Sequence, residues 1–235
     1  MTTVEKPLSA IVTENFNSAS VLEKYGLDFC CKGNMSLKIA CESRDLDPET
    51  IARELSEVTY EESSQRYFQW ELPFLIDYII NNHHSYVREK IPTLFMHLNK
   101  ISNVHGQRHP EFLEVERIFH KVAEDLSQHM VKEEKMLFPA IKMIAQARAG
   151  GEKLPGLPFG SLMGPISVML SEHETAGEEL EQIRDLLNDY TPPEDGCTTI
   201  RVTFKELEGF EKDLHKHVFL ENSILFPKAS RMEKE

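Results

Sequence analysis

The sequence predicts an all-α protein in which a small N-terminal helical domain precedes a four-helix bundle with up-down-up-down topology. Three observations support this fold class. Apolar residues recur every three or four positions through most of the chain, which is the period of an amphipathic helix. Stretches rich in proline and glycine separate the periodic segments. One motif of eleven residues occurs twice, 88 residues apart (217 − 129 for its histidine), which indicates two halves built on one plan.

The composition is that of an ordinary globular protein, with 40% apolar and 28% charged residues. The net charge of −13 argues against a nucleic-acid partner or an anionic membrane surface. No apolar run approaches the roughly 18–20 residues that a membrane-spanning helix needs. The N-terminus also lacks the basic and apolar regions of a signal peptide. We therefore expect a cytoplasmic protein whose four cysteines are thiols.

Two domains are expected, the small one over residues 1–60 and the bundle over residues 67–235. In the first domain, short apolar segments have helical spacing, and Ser18 is a suitable N-cap for one of them. Asp47 precedes a proline and an acidic residue, which is a favourable helix start. The polar run from Tyr60 to Arg66 is the expected linker.

Two adjacent cysteines, Cys30 and Cys31, lie in the predicted turn from Leu27 to Asn34. Adjacent cysteines predict neither a C-x-x-C redox motif nor a zinc knuckle. One interpretation is structural, with one buried and one exposed small residue at a tight turn. The other is a thiol pair that reacts with, or transiently binds, iron or a partner's thiol.

The first bundle helix is expected from about Pro73 to Asn103, bent at Pro92. Its apolar stripe places His84 on the core side. His83 lies about 100° away around the helix, so we expect it to be solvated or to lie behind a ligand. The stripe consists of Ile76, Ile80, His84, Val87 and Ile91.

The second helix is expected from Pro110 to Arg148 and contains the first copy of the motif, HMVKEEKMLFP, beginning at His129. Residues four apart share a helix face, so His129 and Glu133 can point an imidazole and a carboxylate at one place. The Leu-Phe-Pro sequence should kink the helix just beyond. The stripe consists of Ile118, Val122, Leu126, His129, Glu133, Met136 and Ala140.

The second half repeats this plan after a glycine- and proline-rich loop. The third helix, from Pro165 to about Asp189, has His173 in a position like that of His84. The fourth helix, from about Thr198 to the C-terminal charges, carries the second copy of the motif, HVFLENSILFP, with His217 and Glu221. The two stripes consist of Leu162, Ile166, Met169, His173, Ala176 and Leu180, and of Leu207, Phe210, Leu214, His217, Glu221 and Ile224.

Histidine and glutamate side chains inside apolar stripes are costly to bury unless they are paired or bind a metal. One alternative is therefore a pair of buried His–Glu hydrogen bonds. The repeat favours a metal centre built from inward-facing side chains of all four helices. The candidate ligands are His84, His129, Glu133, His173, His217 and Glu221.

The ligand set indicates the metal. Four imidazoles and two carboxylates exceed one tetrahedral zinc site, and calcium and magnesium prefer oxygen ligands alone. Mixed sets of this kind suit transition metals, and we expect two iron ions, each with one histidine pair. Glu133 and Glu221 should bridge them together with an oxo or hydroxo group, leaving open positions for O₂ or NO. The sequence does not say which histidines pair. Glu134, Glu172 and Glu174 are candidates for orienting the imidazoles.

Three stretches resemble a known family. They are YGLDFCCKGNMSL from Tyr25, YIINNHHSYVRE from Tyr78, and the two His-x-x-x-Glu motifs with Leu-Phe-Pro. The bundle resembles a hemerythrin-like domain, and the whole chain resembles the RIC (repair of iron centres) di-iron proteins of the ScdA/YtfE type. The family pattern places metal ligands at the same six positions. One departure is visible, since the family usually has Cys-Cys-Gly-Gly and Lys32 replaces the first glycine here.

The resemblance implies repair of iron–sulfur clusters damaged by oxidative or nitrosative stress. Iron would pass from a labile, carboxylate-bridged centre to partner proteins with damaged clusters, and Cys30 and Cys31 would dock or relay. Two alternatives remain: an enzyme that reduces NO to nitrous oxide, and a carrier or sensor of O₂ or NO. The cysteine domain favours repair over a simple carrier. Conventional enzymatic turnover and the oligomeric state, a homodimer included, remain open.

Overall fold

The computed structural model describes residues 3–60, 66–154 and 156–234. Over these ranges the chain forms helices joined by turns, which confirms the predicted all-α fold. The expected linker falls mostly on residues 61–65, which lie outside the described residues. Within the part that is described, no helix combines the length and the apolar character needed to cross a bilayer.

The N-terminal part contains four short helices with the capping that their sequences favour. The Asp47 side chain accepts hydrogen bonds from the backbone of Glu49 and Thr50, as expected for an N-cap. Ser18, by contrast, makes no capping hydrogen bond with its side chain, because a 3₁₀ turn capped by Asn15 precedes the helix. The helices are α1 (Leu8–Glu14), α2 (Ala19–Lys24), α3 (Leu37–Glu42) and α4 (Pro48–Glu57).

A short helix, α5 (Arg66–Gln69), leads into the four bundle helices, three of which contain a π-helical segment. The first bundle helix comprises α6 (Leu72–Tyr78), π-helical Ile79–His84 and α7 (Ser85–His105). The second comprises α8 (Glu111–Lys132), π-helical Glu133–Leu137 and α9 (Phe138–Gly150). The third is α10 (Met163–Leu186). The fourth comprises α11 (Thr198–Leu220), π-helical Glu221–Leu225 and α12 (Phe226–Lys234).

The four bundle helices form a closed ring around one core. Helix α7 packs on α8, α8 on α10, α10 on α11, and α11 on α7. The N-terminal part covers one side of this ring. Its Phe16 and Phe29 pack edge-on against Phe219 of the fourth helix, with ring centroids 5.7 and 5.8 Å apart. The cysteine turn is therefore carried close to the centre of the bundle.

Near the π-helical turns, the predicted stripes of the first and second bundle helices are wrong at one position each, whereas the stripe of the fourth helix is buried as predicted. Pro139 and Pro227 lack the N–H that an α-helical hydrogen bond requires, and the turn before each proline is widened. The extra residue rotates the side chains that follow. Met136, predicted to face the core, is 53% exposed, and Leu137 is buried in its place. In the first bundle helix, Ile79 rather than Ile80 is fully buried.

Candidate metal centre

The six candidate ligands converge in the middle of the bundle. None of them is more than 2% exposed. Their ligand atoms form two groups that share both carboxylates, and within each group all the atoms lie within 4.8 Å of one another. The first group is His84, Glu133, His217 and Glu221, and the second is His129, Glu133, His173 and Glu221.

The histidine pairs, which the sequence left open, are fixed by distance. The Nε2 atoms of His84 and His217 lie 3.2 Å apart, and those of His129 and His173 lie 3.0 Å apart. Two nitrogens bound at right angles about 2.1 Å from one metal ion lie about 3.0 Å apart. Each pair therefore has the spacing of two neighbouring ligands on one ion.

Each carboxylate lies between the two pairs. Glu133 places Oε2 3.3 Å from Nε2 of His84 and Oε1 3.4 Å from Nε2 of His129. Glu221 places Oε1 3.2 Å from Nε2 of His217 and Oε2 3.1 Å from Nε2 of His173. One oxygen of each carboxylate thus faces each histidine pair, which is the arrangement that a bridging carboxylate requires.

In three of the four imidazoles, a hydrogen bond from Nδ1 fixes the tautomer. Nδ1 of His84 donates to Glu134 at 2.7 Å, and Nδ1 of His129 donates to Glu172 at 2.9 Å. Nδ1 of His173 donates to the side-chain oxygen of Asn222 at 2.8 Å. Because Nδ1 carries the proton, the Nε2 lone pair points into the centre. Two such lone pairs 3.0 Å apart repel each other unless a proton or a metal ion lies between them.

The buried carboxylates also indicate that a positive charge belongs in the centre. Apart from the candidate-ligand imidazoles, both oxygens of Glu133 and Oε2 of Glu221 have no hydrogen-bond donor among the described residues. Burying an ionised carboxylate without a donor or a cation is strongly unfavourable. A donor set of imidazole nitrogens and carboxylate oxygens therefore fits transition-metal ions, iron included.

The pKa values show the affinity of the centre for positive charge. Burial alone would lower the pKa of His129, but the Glu133 carboxylate, helped by Glu221 and Glu172, raises it to about 9. Burial would raise the pKa of Glu221, but His217 and His173 hold it well below its ordinary value. The pKa of His84 is also raised against the effect of burial, by Glu133 and Glu221, so in the metal-free protein protons on His84 and His129 balance the carboxylates.

His83 occupies the second of the two places expected for it. It is 3% exposed rather than solvated, and its Nδ1 donates to Asp213 at 3.0 Å. Its ring lies parallel to that of His217, with centroids 5.7 Å apart, so it lies behind a candidate ligand. The π-helical segment that ends at His84 explains this, since wide turns bring both neighbouring histidines to the inner side.

Of the three carboxylates expected to orient imidazoles, Glu134 and Glu172 do so, and Glu174 is exposed on α10. Asn222 was missed. Its signal was present in the repeat, because Asn222 follows Glu221 as Glu134 follows Glu133.

The cysteine turn contacts the centre directly. The Cys31 thiol donates to the backbone carbonyl of His173 at 3.2 Å. The side-chain nitrogen of Asn222 donates to the Cys30 carbonyl at 3.2 Å, while its oxygen binds the His173 imidazole. Asn222 therefore links the cysteine turn to a candidate ligand.

The thiols lie in a cleft of about 600 Å³ between the N-terminal part and the bundle. Cys30 is buried and Cys31 is half-buried, with their sulfur atoms 3.8 Å apart. The hydrogen bond to Cys31, burial and the Asp28 carboxylate raise the pKa of the Cys30 thiol well above its ordinary value. An Asp28 oxygen accepts from both cysteine backbone N–H groups, which holds the turn.

Lys32 fits the turn without strain. It is not among the described residues with a positive φ, and its ammonium group pairs with Glu181 of α10 at 3.2 Å. Gly33 is the position that requires glycine, since an added Cβ would approach the carbonyl oxygen of Phe29 to 2.4 Å. The departure at Lys32 therefore adds a contact between the cysteine turn and the bundle.

Comparison with known families agrees with the fold and the buried donor set. Residues 75–229 match the hemerythrin HHE cation binding domain, and residues 4–59 match a domain of unknown function, DUF542. The chain belongs to the hemerythrin HHE family.

Similarity over nearly the full length defines a narrower group. The chain is 34% identical over 225 residues to the iron-sulfur cluster repair protein YtfE of Escherichia coli O17:K52:H18 (strain UMN026 / ExPEC), covering 96% of each chain. It is 31% identical over 231 residues to the iron-sulfur cluster repair protein ScdA of Staphylococcus haemolyticus (strain JCSC1435), covering 98% of this chain and 100% of that one. The chain belongs to the YtfE/ScdA family.

Proposed function

We propose that this protein carries two iron ions and gives iron to iron–sulfur clusters damaged by oxidative or nitrosative stress. Relatives named iron-sulfur cluster repair proteins support the repair role. His84 and His217 hold one ion, His129 and His173 hold the other, and Glu133 and Glu221 contact both. Bound iron supplies the ferrous ion that a cluster lacking one metal needs.

The observation that carries the proposal is the link between the cysteine turn and His173. Asn222 binds both the imidazole of His173 and the backbone of Cys30, so movement of the turn is transmitted to a ligand. The half of the centre with His129 and His173 lies on the side of the thiol-lined cleft. Iron leaves from this half, and the cleft receives the partner.

The remaining residues keep iron exchangeable. Most ligands are neutral imidazoles, and only two carboxylates serve two ions. Asn222 is a neutral acceptor for the imidazole of His173, whereas the imidazoles of His84 and His129 each face a carboxylate.

The test follows one labelled ion. Protein loaded with ⁵⁷Fe is mixed with a reductant and a client whose cluster has been oxidised to [3Fe–4S], and Mössbauer spectra are recorded in the presence of a chelator that traps free iron. A [3Fe–4S] cluster needs one ferrous ion and one electron to regain the [4Fe–4S]²⁺ state. We expect the label to enter the client cluster.

Glu221→Leu should abolish this transfer, and Glu174→Leu, which changes an exposed carboxylate near His173, is the matched control. Label that stays on the loaded protein, or reaches the client only when the chelator is omitted, contradicts donation. Consumption of NO over many turnovers without iron transfer would favour the NO-reducing enzyme instead.

A further inference from the structure

We propose that a chain of aromatic rings supplies an electron from Trp70 to the half of the centre that contains His217. This inference rests on the proposed function, because it concerns the centre after one iron has been given away. The rings contact one another in sequence: His217 to His83 at 5.7 Å between centroids, His83 to Tyr78 at 5.6 Å, and Tyr78 to Trp70 at 5.0 Å.

A second tyrosine provides a parallel connection between Tyr78 and Trp70. Tyr67 lies 5.5 Å from Tyr78 and 4.8 Å from Trp70 between ring centroids, and the two phenol oxygens are 3.3 Å apart. Beyond Trp70 lies Phe74 at 4.8 Å, which is 56% exposed. The path therefore leads from a candidate ligand to the protein surface.

The positions of these residue types distinguish the two halves of the centre. Tyrosine and tryptophan are the aromatic side chains that give up one electron most readily, and Trp70 is the single tryptophan of the chain. His84 and His173 instead stack on Phe138 and Phe226, whose rings resist oxidation. Among the four candidate-ligand histidines, in the described ring contacts, only His217 contacts the ring of His83, which leads on to tyrosine and tryptophan.

A fixed positive charge gives the path a direction. The ammonium group of Lys216 lies 5.2 Å from the ring centroid of Tyr67 and 6.0 Å from that of Tyr78. A cation beside a ring opposes removal of an electron from that ring. The electron deficit therefore comes to rest on Trp70. Lys228 holds this segment in place by donating to the backbone carbonyls of Phe68 and Trp70.

An electron from Trp70 prevents a damaging reaction between hydrogen peroxide and the single ferrous ion that remains after donation. Hydrogen peroxide takes up two electrons and two protons to become two water molecules, and a single ferrous ion supplies one electron as it becomes ferric. Trp70 supplies the second electron and releases its indole proton, so that H₂O₂ + Fe²⁺ + TrpH + H⁺ gives 2 H₂O + Fe³⁺ + Trp•. A thiol reductant then returns one electron and one proton to Trp70. Without this second electron, hydroxyl radical forms beside the ligand histidines.

The experiment uses the full chain loaded with one ferrous ion and mixed with one equivalent of hydrogen peroxide. Samples are frozen within milliseconds and examined by electron paramagnetic resonance, and oxidised residues are then located by peptide mass spectrometry. We expect an indole radical and oxidation at Trp70. Trp70→Phe should remove the radical and raise oxidation of His217 and His83 several-fold, and Tyr78→Phe should lower the radical yield several-fold.

Tyr60→Phe, which changes an exposed tyrosine away from the path, is the matched control and should match the unaltered protein. Iron binding and melting are measured for every variant, and Tyr78→Phe provides the test if Trp70→Phe does not fold. Equal histidine oxidation with and without Trp70, or oxidation located at Cys30 and Cys31, overturns the proposal. A chain that binds iron but forms no indole radical overturns the electron path alone, whereas a chain that binds no iron overturns the proposed function as well.

Discussion

In three of the four candidate-ligand imidazoles, the hydrogen bond made by Nδ1 leaves Nε2 free to bind a metal. His84 and His129 donate from Nδ1 to carboxylates, and His173 donates to an amide oxygen. Nδ1 of His217 has no hydrogen-bond partner among the described residues, and the ring of His83 lies parallel to it instead. The four candidate ligands are thus chemically unequal, although the sequence repeat makes them look alike.

The first prediction concerns the shared carboxylates. Glu133→Leu and Glu221→Leu should each remove most of the bound iron, because each removes an oxygen from both histidine pairs. Iron content per chain after anaerobic loading is the measurement. Glu174→Leu, an exposed site on α10, is the control and should keep full iron content. Unchanged iron in both buried variants would disprove the ligand assignment.

The second prediction concerns the orientation of one imidazole. Glu134→Leu removes the acceptor of Nδ1 of His84 and should weaken iron binding by about 10–100-fold. Glu134→Gln keeps an acceptor oxygen and should lose less. Competition with a chelator of known affinity measures both values. Equal affinities for the two variants and the unaltered protein would show that the hydrogen bond does not orient a ligand.

The third prediction concerns pH in the metal-free protein. The pKa of His129 is raised to about 9, so its protonated form stabilises the fold below its unfolded pKa of about 6.5. This contribution, up to about 3 kcal/mol, is lost as the pH rises through 9. Melting of the metal-free protein should therefore shift down by several degrees between pH 6.5 and 9.5. His129→Gln should flatten this dependence, and a melting temperature that rises with pH would contradict it.

Much of the centre could be predicted from the spacing of single residues in the sequence. The spacing of four residues between His129 and Glu133, and its repetition at His217, follows directly from helix geometry. His83 and Asn222 could not be placed with the same rule. Their positions depend on the π-helical turns and on a contact with the N-terminal part, neither of which changes the apolar period of the sequence.

At the scale of single elements, the widened turns adapt the helices to the centre. One π-helical segment ends at His84, and the other two begin at Glu133 and Glu221. Segments of this kind occur often at functional sites. A stripe drawn at 100° per residue therefore fails just beyond Glu133, at Met136, whereas Ile224, at the equivalent position of the fourth helix, is buried as predicted.

The fourth prediction concerns Gly177 of α10. A Cβ at Gly177 would lie 3.2 Å from the sulfur of Cys31, so glycine lets the cysteine turn approach one helical turn beyond His173. Gly177→Leu should displace the turn and raise the rate at which Cys31 reacts with a thiol reagent, while iron content is kept. The measurement is made in a Cys197→Ser background, because Cys197 is exposed.

Gly164→Leu is the matched control, since a Cβ there has open space in the same helix. It should leave the labelling rate of Cys31 unchanged. If both leucine variants increase labelling equally, then loss of helix stability rather than displacement of the turn is the cause, and Gly177 has no specific role.

At the scale of the whole molecule, the N-terminal part is held to the bundle by charge as well as by aromatic packing. Glu181 of α10 pairs with both Lys32 and Arg44. These partners are separated by more than a hundred residues in the chain. Periodicity and motif spacing carry no information on such contacts, so the sequence predicted both parts but not their docking.

The fifth prediction tests this docking. Lys32→Glu combined with Arg44→Glu places like charges opposite Glu181 and should increase labelling of Cys31 about two- to thirty-fold, since two partly exposed ion pairs contribute about 0.2–1 kcal/mol each. Adding Glu181→Lys restores opposite charges and should reverse the increase. A triple variant that labels as fast as the double variant would show that these charges do not hold the turn.

The location of iron tests the central claim most directly. Crystals of the iron-loaded protein, grown without oxygen, are measured by anomalous diffraction at the iron absorption edge. We expect two peaks, one beside the Nε2 atoms of His84 and His217 and one beside those of His129 and His173. A single peak, or iron bound outside this centre, would contradict a two-iron site built from the repeated motif.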